Sequence, residues 1–182
     1  MITAVLTLWK RPEEIKLIKQ KLKSYKFINQ VLVRDNTENN LMSWGKYPLI
    51  SYAKNDTIYV QDDDCYLENI DELYKIYDGT CMVNAIKPSH IGLYSGRDSM
   101  MGWGAIFNKE WVDLFKPYVF KYGIDDVLKR EADRILTCLV KHKTIVGEIN
   151  DFPSAEADYA LYKQPDHESY KQEALRRVTE LG

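Results

Sequence analysis

Three aspartates, Asp62, Asp63 and Asp64, follow directly on an apolar run in "TIYVQDDDCYLENIDEL". Carboxylates crowded this closely repel one another, so one of them takes up a proton or a cation joins them. In extended chain alternate side chains share a side, which sets Asp62 and Asp64 toward one ligand and Asp63 away from it. Hard divalent cations prefer carboxylate oxygen, and Mg²⁺ or Mn²⁺ keeps positions open for substrate phosphates. The triplet therefore reads as half of a metal site whose other half is a diphosphate. The competing reading is an acidic turn that accepts local backbone hydrogen bonds and caps the next helix. A calcium-binding EF-hand loop starting at Asp62 is excluded, because Leu67 stands where glycine is required and Leu73 where the terminal glutamate belongs. A phosphatase with its nucleophilic aspartate after the first strand is excluded too, because Leu8-Trp9-Lys10 stands there.

A second constellation is "READRIL", with Glu131 and Asp133 two residues apart. On one continuous helix these carboxylates would point in different directions, so the spacing places them at or before the first turn of a new helix. Arg130, Glu131, Asp133 and Arg134 also fit a solvated helix face. His142, in "VKHKT", reads as a partner for a helix C-terminal dipole. His90, in a loop, points to nothing specific.

The elements that must hold these groups alternate along the chain. Ile2 to Leu8 predicts a strand, and "RPEEIKLIKQKLKS" a helix with Pro12 near its first turn, two glutamates at its positive end, and Ile15, Ile18 and Leu22 on one face. "QVLVRDN", "DTIYVQ", "TCMVNAI", "SMMGWGAIF" and "KTIVGEI" predict further strands. "NIDELYKIYD", "KEWVDLFKPYV", a longer stretch from Asp125 to Lys141, and residues 168 to 180 predict helices. The order predicts one α/β domain with a mainly parallel sheet covered on both faces. Ligands of such sheets sit beyond the carboxyl ends of the strands, and three strands end in polar residues: Trp9-Lys10-Arg11, Asp35-Asn36, and Asp62 to Asp64. The glycines of "SMMGWGAIF" mark a place where something approaches the backbone, and Trp103 between two of them is either a stacking surface or a core residue.

At 182 residues, with 45% hydrophobic and 29% charged residues, the chain suits a single well-buried domain and excludes disordered or fibrous classes. A net charge of −2 gives no global reason to expect a polyanionic partner, although "KLIKQKLKSYK" at 16 to 26 is locally basic and reads as a solvated helix face. Three widely spaced cysteines, Cys65, Cys81 and Cys138, fit neither a disulfide framework nor a metal knuckle and suit a reducing compartment. The first residues carry no basic leader and too short an apolar stretch for a membrane span, so a cytoplasmic location with no membrane association is expected.

Several segments together resemble a compact nucleotide-sugar glycosyltransferase of the GT-A type, most similar to the exostosin-like transferase domain, in a form suited to a bacterium or phage. "TAVLTLWKRPE" is similar to that family's first strand and loop, "VLVRDN" to its second strand, and "IYVQDDD" to its Asp-x-Asp strand. "MMGWGAIFNKEWVDLF" resembles its glycine-bearing strand, "READRILTCLVKH" its acidic helix start, and "LYKQPDHESYKQEAL" its closing segment. The resemblance implies a single Rossmann-like GT-A domain, with residues 1 to 85 as the nucleotide-sugar half and 86 to 182 as the acceptor half and tail. It implies donor contacts from Thr7, Trp9, Arg11, Asp35, Asn36, Asp62 and Asp63, with Asn36 at the nucleoside and Asp62 at the ribose or sugar. Mn²⁺ or Mg²⁺ would be held by Asp64 with Asp62 and His167, and Arg11, His167 and Lys171 would add positive charge at the diphosphate. Glu131 or Asp133 would be catalytic, a choice the interruption by Ala132 leaves open. The implied reaction moves a sugar from a nucleoside diphosphate, UDP favoured, to a hydroxyl acceptor, with retention of configuration. A glycan and a hydroxymethylated DNA base both suit as acceptor; the second requires phosphate contacts from Lys16 to Lys26, Lys87 and Arg97. Two alternatives stand beside this: a nucleotidyltransferase acting on a sugar phosphate, whose usual glycine-rich basic loop is missing from "TLWKRPEE", and a non-catalytic nucleotide- or metal-binding module of the same fold.

Overall fold

The computed structural model describes residues 1 to 94 and 98 to 182. Strand β1 (Ile2–Leu8) leads into helix α1 (Pro12–Ser24), whose buried Ile15, Ile18 and Leu22 pack against the sheet, and then into β2 (Ile28–Asp35). A 3-10 turn (Met42–Gly45) and a short helix α2 (Lys46–Ile50) precede β3 (Thr57–Gln61). After β4 (Cys65–Leu67) come α3 (Ile70–Ile76), β5 (Met82–Ile86) and β6 (Ala105–Asn108). The chain continues with α4 (Phe115–Tyr122), α5 (Asp126–Leu139), β7 (His142–Val146), β8 (Ile149–Asp151) and α6 (His167–Thr179). Among the described residues, no helix is long and apolar enough to cross a membrane.

Six strands form the central sheet in the order β2-β1-β3-β6-β5-β7, while β4 and β8 pair as a small antiparallel ribbon. The sheet is mostly parallel; β6 runs against both of its neighbours. Side chains alternate strictly between two cores. Ile2, Ala4, Leu6, Tyr59, Val83, Ala85 and Ile106 face α1 and α3. Val5, Ile58, Val60, Met82, Ala105 and Phe107 face the aromatic side chains of α2 and α4 and the apolar stripes of α5 and α6. This period of two with both faces apolar is what a sheet covered on both sides requires.

Two consequences of the topology place the site. The chain leaves β1 toward β2 on one side and returns at β3 on the other, so the carboxyl ends of β1 and β3 flank a switch point, where open α/β sheets bind ligands. The antiparallel β6 begins beside the end of β3, with Val60 opposite Ala105, and so delivers the 101–104 turn to the aspartates. Residues 99 to 104, expected as strand, are not strand: the Gly104 N–H closes onto the Met101 carbonyl at 2.9 Å, and Gly104 has φ +121°. "KTIVGEI", expected as one strand, is divided at Gly147 between two sheets; the chain passes so close to Ala85 and Leu67 there that a Cβ would lie 2.7 Å from the Ala85 Cβ and 2.8 Å from Leu67 Cδ1. His142, expected at a helix end, opens β7.

Candidate active site

A cavity of about 600 Å³ opens at the switch point. Its walls come from the β1 loop (Thr7, Trp9, Lys10, Arg11), the segment after β2 (Asn36, Asn40, Met42, Ser43), Asp62 to Asp64, Arg130 of α5, and residues 158–161 and Gln164 ahead of α6. Lys10 and Met42, with φ of 62° and 52°, are two of the three non-glycine residues in the left-handed region among the described residues. Backbone strain of this kind gathers where the fold holds a loop for a purpose.

The three aspartates, lying in the turn beyond β3, have separate partners. Asp63 accepts from the Trp9 N–H at 2.5 Å and from Arg11 Nη1 at 2.8 Å, so it anchors the strained β1 loop. Burial pushes its carboxyl up to about 7, against the pull of the Trp9 N–H and Arg11. Asp62 accepts from Lys46 Nζ at 2.9 Å, and its own N–H donates to the Gly102 carbonyl at 2.8 Å. A Cβ on Gly102 would lie 2.1 Å from Asp62 Oδ2, so the group the sequence expects against this glycine is Asp62 itself. Asp64 packs beside Asp62 and Asp151, which β4–β8 pairing brings opposite Cys65. Burial and then Asp62 push the Asp64 carboxyl up to about 6, with Asp151 adding to the push and Arg11 opposing it.

Behind this turn lies an ion network the sequence reading missed. Lys46 is fully buried, and its ammonium donates to Asp62 Oδ1 at 2.9 Å and to Asp133 Oδ2 at 2.8 Å. Burial alone would lower the Lys46 pKa, but Asp133 and Asp62 outweigh it and hold it above the ordinary value. The Tyr47 hydroxyl donates to the other Asp133 oxygen at 2.6 Å. Burial raises the Asp133 carboxyl while Lys46 opposes the shift. Both Asp133 oxygens are thus committed, and neither Asp133 nor Glu131 lines the cavity. A lysine flanked by Trp44, Gly45 and Tyr47 in an otherwise apolar stretch is the local signal that marked this position.

Helix α5 breaks at Glu131, with φ −111° and ψ 20°, so Ala132 and Asp133 begin a new helical segment. The cause is Ser43, whose hydroxyl donates toward the Lys129 and Arg130 carbonyls and accepts from the Ala132 N–H. A side chain inserted into the backbone ladder is one of the few things that kink a helix sharply. Glu131 is buried with Arg134 Nε at 3.1 Å, and Arg134 Nη1 reaches on to Asp98. Burial raises Glu131, and Arg134 pulls the other way.

Several expected donor contacts sit elsewhere. Asp35 is exposed, accepts from the Thr37 N–H at 2.8 Å, and does not line the cavity. His167 lies with Nδ1 3.6 Å from Glu131 Oε1, and Lys171 pairs with Glu168 at 3.2 Å; neither lines the cavity. Arg11 lines it, but its guanidinium is held by Asp63, the Ser154 carbonyl and the Ser154 hydroxyl. The expected grouping of His167 with Asp62 and Asp64 does not assemble: among the described residues no cluster of three or more His, Cys, Asp or Glu could hold a metal. Thr7 and Asn36 do face the cavity, and Thr7 Oγ1 and Asn36 Oδ1 are buried without a hydrogen-bond partner. Trp103 does not line the cavity; it is half-buried, with Lys87 Nζ 4.9 Å over its ring and the His90 ring at 4.7 Å and a steep angle. Lys87 is further held by Asp151, and Arg97 lies outside the described residues.

No protein-family model and no curated protein sequence matches this chain. Among solved structures, the chain is similar to a Drosophila β-1,4-galactosyltransferase 7 variant crystallised with manganese, UDP-galactose and xylobiose. The TM-score is 0.56 at 13% identity, over 93% of this chain and 79% of that one. A looser likeness, TM-score 0.45 at 9% identity over 97% and 76% of the two chains, is to inositol-1-phosphate CTP transferase of T. maritima. At these identities the first likeness speaks to the fold alone, a single Rossmann-like GT-A domain with its switch-point cavity at the ends of β1 and β3.

Proposed function

We propose that this chain is a metal-dependent glycosyltransferase that moves a sugar from a nucleoside-diphosphate sugar, UDP favoured, to a hydroxyl acceptor. The observation that carries the reading is one cavity lined by two kinds of incomplete group. Thr7 Oγ1 and Asn36 Oδ1 are buried polar atoms lacking a partner, which suits a nucleoside with its own donors and acceptors. Asp64 is pushed up first by burial and then by its acidic neighbours Asp62 and Asp151, a setting that suits a cation.

Asp64 and Asp62 are the residues that would hold Mn²⁺ or Mg²⁺, and their all-oxygen, carboxylate chemistry fits such an ion. Bound there, the metal would supply Lewis-acid stabilisation of the departing diphosphate. The chain's own residues do the rest. Asp63 and Arg11 fix the loop that carries Trp9 beyond Thr7 at the end of β1. Lys46 and Asp133 fix Asp62 at the end of the cavity, which makes Asp133 a positioning residue in this reading. In the reaction the bond between the anomeric carbon and the diphosphate oxygen breaks, its electron pair leaving with the diphosphate. The acceptor oxygen bonds to the same carbon and passes its proton to the departing diphosphate. Retention of configuration follows the exostosin-like resemblance. The test is a thermal-shift panel of UDP, GDP, CDP and their common sugars, with and without Mn²⁺, on wild type and Asp64→Ala. A nucleotide that raises the melting temperature only with metal and only in wild type supports the donor site through binding linkage. No shift with any of them removes it.

A further inference from the structure

We propose that Arg130 is the side chain that binds the donor's diphosphate, an assignment that rests on the cavity being a nucleotide-sugar site. The sequence resemblance implies Arg11, His167 and Lys171 for this task, but each of them has other partners or another position in the structure. Arg11 gives its guanidinium to Asp63 and Ser154, and the other two lie off the cavity. Of the remaining cations in its walls, Lys10 is exposed, with Nζ over the Trp9 ring at 4.8 Å and the Tyr159 ring at 5.1 Å.

Arg130 differs from each of these. It lines the cavity, and its Nε and Nη1 are buried without an acceptor among the described residues. Its position is nevertheless fixed. The Tyr170 ring lies 4.4 Å from its guanidinium carbon, and Ser43 holds its backbone carbonyl at the break in α5. Arg130 is half-buried with no carboxylate in ion-pair reach among the described residues, and its planar fork matches two phosphate oxygens better than any other side chain does. The carboxylates of Asp62, Asp63 and Asp64 share the same cavity, yet none of them pairs with it. A diphosphate entering together with a divalent cation would give Arg130 its anionic oxygens and the aspartate turn its cation.

The experiment is calorimetric titration of UDP, inorganic pyrophosphate and uridine, each with Mn²⁺, into wild type, Arg130→Gln, Arg130→Lys, His167→Gln and Lys171→Gln. Pyrophosphate has no base, so the identity of the nucleotide does not enter; uridine has no phosphate and isolates the nucleoside contacts. Arg130→Gln is expected to weaken UDP and pyrophosphate at least tenfold while leaving uridine within twofold, with Arg130→Lys recovering part of the loss. The His167 and Lys171 variants are expected to stay within threefold of wild type. Arg130→Gln binding UDP and pyrophosphate within twofold of wild type overturns the assignment and leaves the donor site standing. Loss of the same size in Arg130→Lys, which keeps the charge, together with weaker uridine binding overturns it in favour of a packing role on Tyr170. Wild type binding neither UDP nor pyrophosphate removes the assignment together with the donor site.

Discussion

Replacing Lys46 by methionine tests whether the buried ion network holds the aspartate turn in place. Methionine keeps the stem volume and removes the charge, leaving Asp133 and Asp62 facing each other without a cation. Removing one partner of a buried pair typically costs about 3–5 kcal/mol. The lower end applies here, because the Asp62 side chain is 43% exposed and water compensates much of its loss, whereas that of Asp133 is only 17% exposed. For a chain of this size about 3 kcal/mol corresponds to a fall in melting temperature of roughly 6–12 °C. Asp133→Asn should be destabilising for the mirror reason, since it leaves Lys46 fully buried with one carboxylate instead of two. The double variant removes both charges and keeps the Tyr47 hydroxyl donating to the new amide oxygen, so it should lose less than the two single losses added together, by about 2 kcal/mol or more. Denaturant melts of the four proteins measure this cycle. Additivity within about 0.5 kcal/mol would show that Lys46 and Asp133 do not act on each other, and the positioning role given to Asp133 would fall with it.

Gly102→Ala should place a methyl against Asp62 Oδ2, costing about 1–3 kcal/mol of stability and at least tenfold in UDP binding with Mn²⁺; unchanged binding would show that Asp62 need not sit there. Ser43→Ala should leave the Ala132 N–H at the α5 break without its acceptor and lower stability by about 1–2 kcal/mol, read from denaturant melts; no change would mean that the break forms without this hydroxyl. His167 has its pKa lowered from 6.5, first by burial and then by Lys171 and Arg134. Below pH 6.5 the unfolded chain therefore binds a proton that the folded chain resists, so the His167 contribution to stability should fall as pH drops from 7.5 through 6.5, opposite in sign to the contributions of Asp63 and Asp64, whose raised carboxyls take up protons in the folded chain first. The stability difference between wild type and His167→Gln isolates it and should shift against wild type as pH falls; a difference that does not change with pH would refute the assignment.

The sheet was legible because its signal is local. Strict alternation in β1, β3 and β6 states which residue faces which core, and strands that end in polar residues state where the crevice lies. What could not be read is how three adjacent aspartates divide their labour. Asp63 is claimed by Arg11 across 52 positions, while Asp62 is claimed by Lys46 across 16, and Lys46 in turn by Asp133 across 87. Alternation sets Asp63 apart from Asp62 and Asp64, but no local pattern carries those separations, so the sequence does not say which partner claims each. The new helix start at Glu131 and Asp133 was legible from their two-residue spacing, but its cause was not, because the group that interrupts the helix is Ser43, 89 positions from Ala132.

The charges of the cavity carry the argument one step beyond its shape. A site meant only to be stable would pair its cations with its anions, and most of this one does, through Arg11 with Asp63 and Lys46 with Asp62 and Asp133. Arg130 and Asp64 line the same cavity and are not joined in any ion pair with each other, although each is held in place by its surroundings. Burial makes an uncompensated charge more expensive than an exposed one, so a fold that keeps opposite charges apart at the two sides of one cavity is organised around something that fits between them. A neutral sugar offers neither charge, and a lone metal ion satisfies only the acidic side. A metal ion together with a diphosphate presents a cation to Asp64 and anionic oxygens to Arg130, which is why removing either residue should weaken the same ligand while only the Asp64 variant abolishes its dependence on metal.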